Sequence, residues 1–313
     1  MKKSAALFVS LLLLPFALQT VYGEVSSDGL LAGITQKVGK SMLKSAVNSG
    51  DLSRVQELFK KGVKINSEET LDLFATVCEQ DNDRMAALLV EKGLDPKTNT
   101  DKIWRAILNA DAGKVARVML AKGLPVNEGV IPCAQGFSWR NPVISNPLFA
   151  AIRMDKPSVA NALLASGADL DVRTIGKHRY TALFEAIINK REAIAIAIIR
   201  ECARRGRQDI LDMPDEMTKR TPLVFVTIPT EFHPVIAKSL IANGANVNGA
   251  GHDGPTPIMY MLVNLNRDGN LKNQKAIEQD KEIIQLLLDN GAGDALSDEY
   301  KEFIDREMKE TFL

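Results

Sequence analysis

The sequence predicts an all-α fold, a solenoid of about seven helical hairpins closed by a C-terminal capping helix. Three observations predict it. Apolar helical segments recur along the chain, each ending on a glycine: Gly62, Gly93, Gly123, Gly167, Gly206, Gly244 and Gly291. The early copies are spaced by about 30 residues, the kind of fixed period that marks stacked repeats. Several first helices open on a polar residue followed by proline, at Asn146-Pro147, Thr221-Pro222 and Thr256-Pro257. The hydroxyl or amide caps free N–H groups, and proline fits the first turn because its missing N–H has no partner there.

Taken in order, residues 1–23 have the three parts of a secretory signal. Lys2 and Lys3 form a positive start, Ala5 to Leu18 an apolar core, and Val21-Tyr22-Gly23 a cleavable end before Glu24; left uncut, the charge-free stretch Ser4–Tyr22 would serve as an anchor. The short Lys-Lys start resembles a bacterial signal, which implies the periplasm. Met42 offers an internal start that would yield a cytosolic form. Residues 24–40 read as a lead-in and residues 41–292 as the repeats. The first copies are LKSAVNSGDLSRVQELFKKG, LFATVCEQDNDRMAALLVEKG and IWRAILNADAGKVARVMLAKG. PLFAAIRMDKPSVANALLASG follows, and then TALFEAIINKREAIAIAIIRECARRG, whose second helix overshoots by four residues, about one helical turn. PLVFVTIPTEFHPVIAKSLIANG comes sixth, and PIMYMLVN with KEIIQLLLDNG forms the last copy around a long insert. Each glycine stands where a helix ends in a left-handed residue, a conformation glycine adopts cheaply. One hairpin cannot bury its own apolar face, so neighbours must stack. In residues 293–313, Ser297-Asp298-Glu299 suits a helix start, and the helix to about Lys309 would cover the end of the stack.

The stretch GANVNGAGHDGPTPI at 244–258 resembles the turn of the ankyrin-repeat family, with weaker echoes in GADLD at 167–171 and TAL at 181–183. The resemblance spans about residues 41–292. It implies an arc of stacked helix pairs with turns projecting from one edge, and binding of other proteins through turn tips and first helices. One departure stands out. The family's Thr-Pro-Leu-His has no histidine here; Phe149, Phe184, Val224 and Met259 take that place. Apolar packing is therefore expected to replace the polar tie between neighbours.

Function in repeat proteins concentrates where the pattern breaks. The connection Glu128–Ser145 carries Cys133, Phe137, Trp139 and Arg140. Trp and Arg are enriched at binding hot spots, although Phe137 and Trp139 could equally fold back as a small satellite core. The next connection carries Lys177, His178, Arg179 and Tyr180, a cationic and aromatic tip suited to an acidic partner, or a solvated turn with Tyr180 packed on its own helix. The third break, Asn264–Gln279, reads as a polar surface loop.

Composition narrows the function. Lys+Arg and Asp+Glu are both 39, and loss of residues 1–23 leaves 37 against 39. No field of one sign points to nucleic acid or an anionic membrane. No stretch after the signal is long enough to span a bilayer. Three cysteines cannot all pair within one chain. Cys78 and Cys202, three stacked units apart, lie beyond a disulfide's reach, and Cys133 is the exposed candidate. There is no zinc spacing and no cofactor motif, and the three histidines belong to no catalytic motif. The carboxylates follow the pattern of a solvated helix face. The expectation is therefore a non-enzymatic binding module, acting as a monomer or as a heterodimer with its target. The exported ankyrin layout resembles immunity proteins that neutralise type VI secretion effectors, notably phospholipases. The alternative is a periplasmic scaffold or chaperone-like partner of another enzyme, for example in oxidative stress, for which an exposed Cys133 would suit.

Overall fold

Each of the seven glycines ends its helix in the left-handed region, with φ from 69° to 109°. In the computed structural model the closing bonds are the same every time. Gly93 N–H donates to the Val90 carbonyl and Leu94 N–H to the Leu89 carbonyl, and the pattern repeats through Gly291 and Ala292. This Schellman arrangement satisfies carbonyls that the helix end would otherwise leave bare. A second left-handed residue stands inside five hairpins: Gly50, Asp81, Asp111, Asp155 and Lys190. Twelve residues separate it from the closing glycine in the first four, and sixteen from Lys190 to Gly206. The expected extra turn is thus confirmed at the level of backbone conformation.

The structure describes residues 27–129, 131–132, 143–144, 146–174, 177–249, 255–267, 274–292, 296, 298, 301–302 and 304. The expected signal at 1–23 lies outside them, as does most of the expected closing helix. Of that helix, residues 298, 301, 302 and 304 are helical, and Leu296 and Ile304 are buried. Among the described residues no helix is long and apolar enough to cross a membrane. The chain divides into two compact units, Met1–Leu94 and Asp95–Leu313.

In the first unit, α1 (Ser27–Asn48) pairs with α2 (Leu52–Lys60), and α3 (Ser67–Glu79) with α4 (Asp83–Glu91). Asn66 and Glu69 make a capping box at the start of α3, and Asn82 caps α4 through Met85 N–H. Leu43, Val47, Val55, Phe74, Val77, Met85 and Leu89 form the core, none more than 1% exposed. The lead-in and the first repeat helix are one helix from Ser27 onward. Gln36 donates to the Gly62 carbonyl and accepts from Lys64 N–H, while Lys40 pairs with Glu69 at 2.7 Å. An internal start at Met42 would remove all of these contacts while keeping every repeat segment from Leu43 onward.

In the second unit, the first helices are α5 (Thr100–Ala110), α7 (Pro147–Arg153), α9 (Ala182–Ile188), α12 (Pro222–Thr227) and α14 (Pro257–Arg267). The second helices are α6 (Gly113–Ala121), α8 (Pro157–Ala165), α10 (Glu192–Arg204), α13 (Pro234–Ala242) and α15 (Gln274–Asp289), with a short α11 (Gln208–Leu211) after α10. Each row packs helix against helix in chain order, so five hairpins stack. Two short strands, β1 (Ile131–Pro132) and β2 (Val143–Ile144), pair antiparallel and bring the ends of the 128–145 connection together. Asn146 and Thr221 cap their helices as the sequence pattern predicts, and Thr181 does so without a following proline, whereas the Thr256 hydroxyl is buried and makes no cap bond.

Two expectations need correction. The insert at 264–279 is not a loop throughout: α14 runs to Arg267 and α15 begins at Gln274. The reason is helical periodicity, since Asp280, Ile283, Ile284 and Leu287 fall on one buried face. Second, polar ties between neighbouring hairpins persist. Phe149, Phe184 and Val224 are buried where the histidine is missing, and Met259 is half-buried. Yet Asp111 accepts from Val159 N–H at 3.0 Å, Arg205 donates to the Ala168 carbonyl at 2.7 Å, and Arg153 pairs with Glu185. The ties have moved from the missing histidine to the turns and to one buried ion pair.

Candidate partner-binding surface

Residues 173–174 and 177–181 form the two sides of a narrow finger. An antiparallel bridge joins Arg173 to Thr181, Thr174 N–H donates to the Tyr180 carbonyl at 2.8 Å, and Tyr180 N–H returns to the Thr174 hydroxyl at 2.9 Å. Arg179 takes a left-handed φ of 49° at the bend. The corresponding turn one hairpin later, residues 212–220, is organised by Asp215. Its carboxylate accepts from Met217 N–H and Thr218 N–H, each at 2.9 Å, and from the Thr218 hydroxyl. An aspartate bonding its own following backbone is the ordinary way to fix such a turn.

The two fingers are joined. Glu216 N–H donates to the His178 carbonyl at 2.9 Å, and His178 Nδ1 lies 3.0 Å from Asp215 Oδ1. Glu216 Oε1 receives Arg173 at 3.2 Å and Arg179 at 3.4 Å. A run of rings anchors the first finger to the core. His178 stacks on Tyr180 at 4.8 Å, Tyr180 on Phe184 at 5.4 Å, and Phe184 meets Phe225 edge-on at 5.4 Å. Such pairs add about 0.5–1.5 kcal/mol each beyond area burial.

His178 and Tyr180 are half-buried in the ring stack, and His178 also meets Asp215. Lys177 and Arg179 are exposed, beside Met217, which is 60% exposed at the second tip. The surface presented is therefore two cationic head groups and one thioether on a stapled base, with part of its charge answered by Glu216. Burial pushes the Tyr180 hydroxyl pKa up, and the Asp215 and Glu185 charges add to it. Cys133, Phe137, Trp139 and Arg140 lie outside the described residues.

Nothing within the 177–180 turn itself points to Asp215 and Glu216. Aligning the same turn one copy later, at PDEMTKRTP, sets them beside it. The His178–Asp215 pair has the look of an oriented base. Among the described residues, however, no hydroxyl or thiol is hydrogen-bonded to its other nitrogen, and Thr218 is spent on Asp215. Cys78 and Cys202 are free and buried, and burial raises both thiols, Cys202 to about 12, far from a nucleophile's range. No group of three His, Cys, Asp or Glu side chains among the described residues could hold a metal ion.

Burial would raise the Asp215 pKa, but hydrogen bonds from Thr218, His178 and Met217 outweigh it and hold the carboxyl below its usual range. The stabilisation is therefore complete above the ordinary carboxylate range and is lost as pH falls through the depressed folded value. Asp215→Asn is expected to cost about 1–3 kcal/mol at neutral pH. The cost should shrink on acidification. Thermal unfolding of both forms across the acid range checks this, and a gap constant with pH would remove the carboxylate's ionisation from the explanation.

No family model matches the chain, and no curated protein matches it. Solved structures do, among them the ankyrin repeat domain of Bcl-3, described as a unique member of the IκB protein family. The identity is 15%, covering 76% of this chain and 96% of that one, with a TM-score of 0.45.

Proposed function

We propose that this chain is an exported protein-binding module of the ankyrin kind, acting in the periplasm as an immunity protein against a toxic type VI secretion effector of the phospholipase class. The observation that carries the binding role is the pair of stapled fingers. They hold Lys177, Arg179 and Met217 outward on a base fixed by Asp215 and the ring stack. A surface ordered before the partner arrives loses little conformational entropy on association. The secretory pattern of residues 1–23 supports the compartment, and the layout of an exported helical-repeat protein supports the immunity role. Phe137, Trp139 and Arg140, on the neighbouring connection, would cover the apolar mouth of the target enzyme. Lys177 and Arg179 would contribute polar contacts, with His178 and Tyr180 positioning them.

Co-expression with the effector encoded beside it tests the proposal. The wild-type protein is expected to protect cells and to co-purify with the effector. Lys177→Glu with Arg179→Glu, and separately Trp139→Ala with Arg140→Ala, are each expected to weaken binding by about 2 kcal/mol or more. Full protection by both double variants would remove this surface. Failure of the wild-type protein to protect at all would remove the immunity role.

A further inference from the structure

The outer edges of α8 and α10 enclose an open groove of about 520 Å³. Its lining has an apolar, small-residued strip, Leu164, Ala165, Ala193, Ile196 and Ala197, beside Asn161. Arg200 and Arg204 stand along one wall. The groove exists because α10, with 13 residues, exceeds α8, with 9, so the extra turn lengthens one wall. It shares no residue with the finger surface.

Charge at this groove is one-sided. Glu201, its single acid, accepts both Arg204 and Arg205 at 2.6 Å and is already neutralised. Arg200 is exposed and has no ion-pair partner among the described residues. The repeat register extends the bias. Six residues before each closing glycine of the second unit stand Arg117, Asn161, Arg200, Lys238 and Gln285: three cations, two amides and no acid. Lys238 is taken by Glu282 at 2.6 Å, which leaves Arg200 as the cation beside the apolar strip.

We infer that this groove is a second docking site, and that it takes an acidic amphipathic helix from a partner protein. Alanines at 165, 193 and 197 let another helix approach to the usual 8–10 Å between axes. Its apolar side chains would cover Leu164 and Ile196, and a carboxylate would meet Arg200 bidentately. A polyanion such as nucleic acid would gain nothing from the apolar strip, and one unanswered cation is a poor footprint for it.

The test uses the full chain and a fluorescein-labelled peptide of about 15 residues, long enough to form a helix, with leucines on one face and glutamates flanking it. A lysine-for-glutamate counterpart is the control. The glutamate peptide is expected to bind at least about tenfold more tightly than the control, by anisotropy. Arg200→Glu and Ala165→Trp are each expected to weaken it about tenfold or more, with the unfolding midpoint unchanged and the finger surface untouched. Equal binding of the two peptides, or binding indifferent to both variants, overturns the site. Binding to phosphatidylglycerol vesicles with the same Arg200 dependence, in place of the peptide, overturns the partner assigned to it.

Discussion

Trp104→Ala is expected to destabilise the second unit by about 3–5 kcal/mol, the range for removing a buried aromatic from a core. Trp104 is 0% exposed on α5, beside Ile103, Ile107 and Leu108, all equally buried. Its indole N–H donates to the Pro125 carbonyl at 3.2 Å, so alanine also strands that acceptor. Gly129 lies flat against the ring; a Cβ there would sit 2.8 Å from Cδ1. The indole thus fixes where the connection after α6 begins, before the stretch that carries Phe137 and Trp139. Trp104→Phe should cost much less, because it keeps most of the volume and loses only the hydrogen bond. Urea unfolding followed by circular dichroism measures both, since fluorescence would lose one of only two tryptophans. A loss below about 1 kcal/mol for alanine would mean that the site collapses freely around the hole.

Glu185→Ala is expected to cost a similar amount, about 3–5 kcal/mol, for a different reason. Glu185 Oε1 lies 2.6 Å from Arg153 Nε, with side chains 6% and 20% exposed. They join the first helices of adjacent hairpins, α7 and α9. Removing the carboxylate takes a 2.6 Å ionic partner from a guanidinium in a poorly solvated position, and the cost is mainly that lost compensation. The double change Arg153→Met with Glu185→Leu should therefore be much milder than either single loss, because apolar groups of similar volume avoid the desolvation. A double-mutant cycle decides it. If the double variant is as unstable as the sum of the singles, the pair does not act as a unit and the ion pair is not what ties the hairpins.

Glu185 also shows where reading the chain alone goes wrong. A carboxylate within TALFEAII reads as part of a solvated face, yet it is buried. Helical periodicity says which side of a helix faces its own hairpin partner. It does not say which side the neighbouring hairpin covers, and Arg153 stands 32 residues away. Asp215 was missed for the same reason, since its importance comes from His178 on the previous finger. Lys177 and Arg179 were legible as an outward edge, because a turn between two helices must put something in water.

What the sequence determined by itself is local. The closing glycines and the Asn146 and Thr221 caps before proline are written residue by residue, because backbone conformation and capping depend on near neighbours. So is the extra turn of α10, which keeps the glycine on its pattern sixteen residues after Lys190. The tertiary structure alone decided that α1 begins the first hairpin at Ser27, that Trp104 packs against the start of the 128–145 connection, and that two fingers share one aspartate. Those outcomes rest on contacts between segments far apart in the chain. Their energies come from burial and charge neutralisation, which no short window of sequence contains.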